Sequence, residues 1–288
     1  MTLCAAWKTG NKISLASDSR VSFGNGGHAD VGIKVVPLDV CVHGATREDT
    51  GETELLYRHT WGLCFAGNFC AAYSVREFLS GFMANLQYAT ASGSLSMEDL
   101  CNLILEFYRR TTIELTFPLR EMGEFELVTA GFCPAIQRLR AFSFKFEFDT
   151  SKQMKQPSFR EILTDNPYYY FGKGCADAES AYLNGTEKSN DSRVLASIRH
   201  VIDMKAHASV GGALQFGSFR DVDFYVYGLQ ESYENEHGLL AARFTYRGHS
   251  LQDGERDLIM GQFISRITFM MPFFEKERKY FDEDKLDY

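Results

Sequence analysis

The sequence has no apolar run long enough to cross a membrane, where a spanning helix needs about 20 consecutive apolar residues. The richest apolar stretch, 263–274, is interrupted by Arg266 and Pro272. The start of the chain does not resemble a secretory leader, because Lys8 and Gly10 interrupt the first apolar residues too early. We therefore expect a cytoplasmic protein with no membrane partner.

Patterns that hold metals are also missing. The seven cysteines form no C-x-x-C pair, and the seven histidines show no H-E-x-x-H or similar spacing. Most cysteines lie in apolar stretches, as Cys64 does in WGLCFAG, which is typical of reduced, buried thiols. No block of lysines and arginines occurs, and the net charge is −8. We therefore expect no metal, no cofactor and no nucleic-acid partner.

The sequence does contain a regular succession of strand and helix patterns. Alternation over 3–7, a turn at 9–11 and a return strand over 13–17 predict an initial hairpin. Helical spacing follows over 69–86, and Ser96 is placed to cap a second helix. Further strands are predicted over 34–38, 61–66, 125–132, 138–148, 168–171, 222–228 and 240–246, further helices over 176–183 and about 192–207, and loops over 41–60 and 149–166.

The order of these elements predicts the fold class. Strands, two helices, strands, two helices and strands are typical of an α+β protein with two antiparallel sheets packed face to face and helices outside, a four-layer αββα sandwich. The tail from about Leu251 onward is predicted to be helical.

Thr2, Asp18 and Lys34 form the most informative pattern. Removal of Met1 would place a hydroxyl and a free α-amine on Thr2, and the amine can take the hydroxyl proton. This arrangement predicts amide-bond hydrolysis through an acyl-enzyme. Each residue alone has a simpler interpretation: Thr2 as part of an edge strand, Asp18 as a turn residue and Lys34 as a solvated strand start.

Five stretches resemble the proteasome-type β subunits of the N-terminal nucleophile hydrolases, the group that includes bacterial HslV and Anbu. They are T-L-C-A-A-W from residue 2, L-A-S-D-S-R at 15–20, K-V-V-P-L-D at 34–39, F-A-G at 65–67 and, more weakly, F-G-K-G at 171–174. The resemblance implies the αββα fold of that group for a domain over 1–229. It leaves 41–60 as an inserted loop and 230–288 as a C-terminal extension packed on the same domain.

The resemblance also implies a role for each matching residue. Thr2 would be the nucleophile and its α-amine the general base once Met1 is lost. Lys34 would lower the pKa of that amine, and Asp18 would orient Lys34. Gly67, at a strand-to-helix junction, would donate its N–H to the oxyanion. The simpler interpretation of Gly67 is a glycine that begins a helix.

The chain departs from the group further along. Lys173 stands where many members have a serine, and it is either part of the substrate site or a surface lysine. Ser209 fits the later D-x-x-S-G motif only loosely as a catalytic residue. Val210 precedes the glycine, and Ala206 replaces the aspartate. Arg20 either lines the substrate cleft or pairs with a carboxylate, and pairing is favoured.

The sequence thus predicts a threonine-type peptidase or amidohydrolase that acts on peptides or proteins in a homo-oligomeric ring or stacked assembly. Two alternatives stay open. One is a non-catalytic structural ring subunit of the same fold, in which Met1 is retained. The other is a small-molecule amidohydrolase. The sequence does not decide whether an ATPase unfoldase is a partner.

Overall fold

The structure is a computed structural model that describes residues 2–23, 26–46, 50–88, 95–119, 123–149, 154–234, 240–251 and 267–270. Its helices are α1 (Phe69–Met83), α2 (Met97–Leu119), α3 (Cys175–Leu183) and α4 (Asn190–Met204). Its strands are β1 (Leu3–Thr9), β2 (Lys12–Asp18), β3 (Val21–Ser22), β4 (His28–Ala29), β5 (Val35–His43), β6 (Leu55–Gly67), β7 (Leu86–Gln87), β8 (Phe125–Cys133), β9 (Arg138–Asp149), β10 (Met154–Ile162), β11 (Tyr168–Gly172), β12 (Leu214–Arg220), β13 (Asp223–Glu234), β14 (Leu240–Tyr246), β15 (His249–Leu251) and β16 (Phe269–Met270). Within the described ranges, no helix is long and apolar enough to cross a membrane.

Most strands belong to two large sheets. One has the order β11-β1-β2-β12-β13-β14-β15, with β16 added parallel to β13. The other has the order β10-β9-β8-β6-β5-β7. Neighbours in both sheets are antiparallel apart from the short pairs β5–β7 and β13–β16. The strands β14, β15 and β16 of the predicted C-terminal extension therefore continue the first sheet.

Three apolar cores hold the layers together. One lies between the six-stranded sheet and α1 and α2, around Trp61. A second lies between the eight-stranded sheet and α3 and α4, where Trp7 packs with Ile198. The third lies between the sheets and contains Leu15 and Val128. Three cores between four layers confirm the predicted αββα sandwich.

The first strand is buried on both faces. Leu3, Ala5 and Trp7 belong to the core against α3 and α4, while Cys4 and Ala6 belong to the core between the sheets. All five side chains are 0% exposed. Side chains alternate between the two faces of a strand, so the register of β1 fixes the position of the residue before it.

Two local predictions are confirmed. β1 and β2 form the expected hairpin, with Gly10 at a φ of 61° in its turn. Helix α2 begins directly after Ser96, whose hydroxyl accepts the Asp99 amide at 3.2 Å. This is the capping interaction that satisfies an otherwise unpaired N–H in the first turn of a helix.

The loops expected over 41–60 and 149–166 are wrong in large part. β5 runs to His43 and β6 begins at Leu55, so these strands leave only 44–54 as a connection. β10 fills 154–162 and pairs with β9 along its length. The β5–β6 hairpin extends beyond the pairing of β6 with β8, and Leu55 and Leu56 near its end are exposed. The edge strand β10 carries exposed polar residues, a composition that resembles that of a loop.

Two further differences concern the last part of the chain. Strand β12 has no counterpart among the predicted elements. The tail was expected to be helical beyond Leu251, but Phe269–Met270 forms β16. The rest of that prediction, over 252–266 and 271–288, lies outside the described residues.

Candidate active site

Asp18 is the last residue of β2, and its side chain is 0% exposed. Its Oδ1 accepts the Leu3 N–H at 3.0 Å and the Lys34 ammonium at 3.1 Å. Its Oδ2 accepts the N–H groups of Arg20 and Gly211, both at 3.0 Å. A buried carboxylate requires such partners because an unpaired buried charge costs several kcal/mol. Asp18 therefore ties together the start of β1, the segment after β2 and the connection between α4 and β12.

Lys34 immediately precedes β5 and is 1% exposed. Its Nζ donates to Asp18 and, at 2.6 Å, to the carbonyl of Arg20. Its own N–H donates to the side chain of Gln215 at 3.0 Å. The structure thus brings Asp18 and Lys34 together as a buried ion pair beside the residue that follows Thr2.

Gln215 positions the segment that carries Lys34, and sequence reasoning missed it. Its Oε1 accepts the N–H groups of Lys34 at 3.0 Å and Val35 at 3.3 Å, while its Nε2 donates to the Gly32 carbonyl at 2.5 Å. The one available signal was an amide side chain within the apolar stretch L-Q-F that opens β12. A buried amide in a strand needs hydrogen-bond partners.

Thr2 immediately precedes β1 and is 6% exposed. Its carbonyl accepts the backbone N–H of Lys173 at 2.8 Å. Gly172, with a φ of 86°, lies so close that a Cβ there would come within 2.0 Å of the Thr2 oxygen and 2.8 Å of the Ala66 Cβ. Only a glycine fits this approach of β11 to β1.

Gly67 occupies the predicted strand-to-helix junction, at the end of β6. Its φ is 126°, and a Cβ there would lie 2.5 Å from the Phe125 Cα. Asn68 follows as the cap of α1 and accepts the Ala71 N–H at 2.8 Å. The close approach of β8 is therefore a steric reason for this glycine, independent of any role in catalysis.

The other predicted site residues contribute in different ways. Lys173 contacts Thr2 through its backbone, and its side chain is exposed. In the described part of the chain, the Ser209 hydroxyl has no hydrogen bond. Within the connection between α4 and β12, the N–H of Gly211 binds Asp18 instead. Arg20 pairs with Asp30 through hydrogen bonds of 2.7 and 2.9 Å, as favoured above. These hydrogen bonds hold the pKa of Asp30 below its usual value.

The Cys64 thiol is a poor alternative nucleophile. Cys64 lies on β6 in the core between the sheets. Burial, together with the neighbouring Cys4, raises the pKa of the Cys64 thiol well above its usual range. The thiolate is the reactive form of cysteine, so this shift disfavours Cys64 as a nucleophile.

Solved structures share this architecture. Over 78% of this chain, the structure matches Anbu (ancestral beta-subunit) from Yersinia bercovieri with a TM-score of 0.55 and 17% identity, covering 87% of that chain. A mutant of Anbu from Hyphomicrobium sp. strain MC1 matches over 78% of this chain and 84% of its own, with a TM-score of 0.54 and 16% identity. The helical assembly of the Anbu complex from Pseudomonas aeruginosa gives a TM-score of 0.56 and 17% identity over 78% of this chain and 86% of that one.

No protein-family model and no curated protein matches the sequence. At these identities the structural likeness establishes the fold. The chain shares its αββα fold with the Anbu structures, and the predicted resemblance to Anbu is confirmed at that level.

Proposed function

We propose that this protein is an N-terminal threonine hydrolase that cleaves amide bonds of peptides through an acyl-Thr2 intermediate. The observation that carries the proposal is the buried pair of Lys34 and Asp18, in which Asp18 also binds the Leu3 amide. A buried ion pair is weak evidence for stability, because apolar replacements are often neutral or stabilising. Chemistry at the adjacent Thr2 is a better reason for its presence.

The reaction needs a free amine on Thr2, so Met1 must first be removed. The neutral α-amine then accepts the hydroxyl proton as the Thr2 oxygen attacks the carbonyl carbon of the scissile amide. The Gly67 N–H stabilises the resulting oxyanion. The proton passes to the leaving amine as the C–N bond breaks. The acyl group stays on Thr2 as an ester until water hydrolyses it.

Lys34 supplies the electrostatic part of this mechanism. An α-amine has a reference pKa of about 7.7–8.0. A neighbouring ammonium disfavours a second positive charge and therefore lowers that pKa. The same ammonium favours negative charge as it develops on the Thr2 oxygen. Asp18 holds Lys34 in place at 3.1 Å.

We also propose that the protein works as a homo-oligomer on peptide or protein substrates. Two observations support this. One of the structural relatives is the helical assembly of the Anbu complex. Apolar side chains also remain exposed on the outer helices, with Leu103 39% and Ile113 50% exposed. Exposed apolar surface is a common feature of protein interfaces.

The experiment that tests the proposal starts with the mass of the N-terminal peptide. We expect the active protein to begin at Thr2 and to hydrolyse fluorogenic peptides. Thr2→Ala should abolish turnover without changing the thermal unfolding curve, while Thr2→Ser should keep part of it because the hydroxyl and the amine remain. A peptide epoxyketone should label Thr2.

Other outcomes separate the alternatives. Retention of Met1 in a folded but inactive protein would support a structural subunit. Turnover of simple acyl amides but not of peptides would support a small-molecule amidohydrolase. Peptide hydrolysis by the Thr2→Ala variant would contradict the mechanism in every form.

A further inference from the structure

A second charged site lies beside the candidate active site. A cavity of about 250 Å³ is bounded by the segment after β2, by the C-terminal end of α4 with the loop that follows it, and by β14. Its wall includes Arg20, Arg199, Asp203, Lys205, Gly211 and Arg243. Four cationic residues and one acidic residue thus line the cavity, in a chain whose net charge is −8.

The neighbouring carboxylates do not balance these cations. Glu231 is 5% exposed and is shared by Arg199 and by Arg243, which lies opposite it in the β13–β14 pairing. Arg20 has Asp30 as its partner. Among the residues that the structure describes, no carboxylate pairs with Lys205. Counted over the described residues and with Asp203 included, the four cations have three carboxylates as neighbours, one fewer than charge balance requires.

The backbone at Lys205 is a second observation. Lys205 is the C-cap of α4 and has a φ of 52°, in the left-handed region. Glycine is the usual residue at such a helix end because it has no Cβ. A lysine there is favourable for the helix dipole, but it carries a backbone cost that glycine would avoid. Lys205 is also one of the residues that line the cavity.

We propose that this cavity binds a phosphate-type oxyanion, either inorganic phosphate or the phosphate group of a small organic molecule. Guanidinium groups offer forked pairs of donors that match phosphate oxygens, and an ammonium adds a compact charge. The volume of about 250 Å³ lies just below the range of about 300–1,000 Å³ typical of small-molecule sites. The cavity therefore suits a small ligand.

The cavity shares two residues with the candidate active site. Arg20 and Gly211 both line it, and the backbone N–H of each donates to Asp18. The Arg20 guanidinium lies against Gly211, where a Cβ would come within 2.4 Å of its Cζ. A ligand bound to Arg20 would therefore lie against the two segments, at Arg20 and at Gly211, whose N–H groups bind Asp18. Binding itself requires neither Thr2 nor turnover.

Titration calorimetry of the full chain with phosphate, at constant ionic strength, tests the proposal. We expect saturable binding of one phosphate per chain. Lys205→Gly should weaken this binding about tenfold or more, since a charge-assisted hydrogen bond is worth at least that factor. The same variant should unfold at an unchanged or higher temperature, because glycine relieves the left-handed backbone. If Lys205 had only a structural role, Lys205→Gly would not weaken phosphate binding while leaving the unfolding temperature unchanged or higher.

Arg243→Gln is a second variant and should also weaken binding. Two matched controls should bind phosphate like the parent protein. Gln137→Gly relieves a left-handed residue, with a φ of 52°, in a turn far from the cavity wall. Lys12→Gln removes an exposed cation at the opposite end of β2 from Asp18.

Further ligands identify the source of the anion. Tighter binding of glycerol phosphate than of inorganic phosphate would support an organic phosphate, and the reverse order would support the free ion. Absence of saturable binding would overturn the proposal, as would equal binding of acetate. Unchanged binding in both Lys205→Gly and Arg243→Gln would do the same. The Thr2→Ala protein should still bind phosphate, so a failure of the proposed hydrolase function is distinguishable.

Discussion

At the scale of single residues, the pair of Lys34 and Asp18 is the feature most open to experiment. Lys34→Met keeps much of the side-chain volume but leaves Asp18 buried without its cation. We expect a loss of about 3–5 kcal/mol in the free energy of unfolding, together with loss of peptide hydrolysis. Chemical denaturation and a fluorogenic assay measure the two effects separately.

The double variant Lys34→Met with Asp18→Asn is the matched control. It removes both charges, so part of the lost stability should return. The new amide nitrogen faces backbone N–H groups that the carboxylate accepted, so the double variant should stay less stable than the parent. Activity should stay absent, because nothing replaces the Lys34 ammonium that the proposed mechanism uses. Recovery of peptide hydrolysis in the double variant would show that the charge pair only stabilises the fold.

The residues of this site differ in how far the sequence predicts them. Asp18 and Lys34 were identifiable because both have charged side chains and both lie in stretches that resemble the proteasome-type β subunits. Arg20 and Gly211 bind Asp18 through backbone N–H groups, and every non-proline residue has one. Their contribution therefore becomes visible only in the fold. Gln215 is intermediate in how far the sequence predicts it, because an amide side chain is unusual in a buried strand and can be noticed there.

At the scale of elements, the approach of β11 to β1 depends on Gly172. A methyl group there would come within 2.0 Å of the Thr2 carbonyl oxygen. We expect Gly172→Ala to displace Thr2 from Lys173 and to lower both turnover and thermal stability. The variant should cost more than the roughly 1–2 kcal/mol that a left-handed residue costs by itself.

Gly10→Ala separates the cost of the left-handed backbone from the cost of the steric contact with Thr2. Gly10 also has a positive φ, of 61°, but no atom lies within 4 Å of a Cβ built there. This variant should show the backbone cost alone and keep full peptide hydrolysis. Equal unfolding temperatures for the two variants would indicate that the contact with Thr2 does not constrain β11.

Elements were predicted best where both faces or one full face is buried. The hairpin of β1 and β2 and the helices α1 and α2 follow from apolar periodicity. The ends of β5 and β6 beyond β8 and the edge strand β10 did not, because their exposed positions interrupt the pattern of buried residues. Such strands are defined by their pairing partners, which composition does not reveal.

At the scale of the whole molecule, the order of strands and helices was enough to predict four layers. Each layer buries one face against the next, and the three cores follow from that stacking. How copies of the chain associate is a question of surface shape, which periodicity does not address. The proposed assembly is therefore best tested directly on the native particle.

The assembly predicts a native mass that is a multiple of the 32.6 kDa chain. If the outer face of α2 forms an interface, Leu103→Asp together with Ile113→Asp should reduce the sedimentation coefficient, because buried charge opposes association. Leu183→Asp, at a 68% exposed position on α3, is the matched control and should leave the mass unchanged. A parent protein that sediments as a single chain would contradict the proposal.

The double-sided burial of β1 has a consequence for maturation. Trp7 packs against the helices, and Cys4 and Ala6 pack between the sheets. A shift of the strand by one residue would exchange these faces, so the strand cannot slide to correct a wrongly trimmed end. A peptidase that leaves one extra residue, or removes one too many, produces an enzyme that folding cannot repair. Under the proposed mechanism, the accuracy of that single cut sets the fraction of molecules that are ever active.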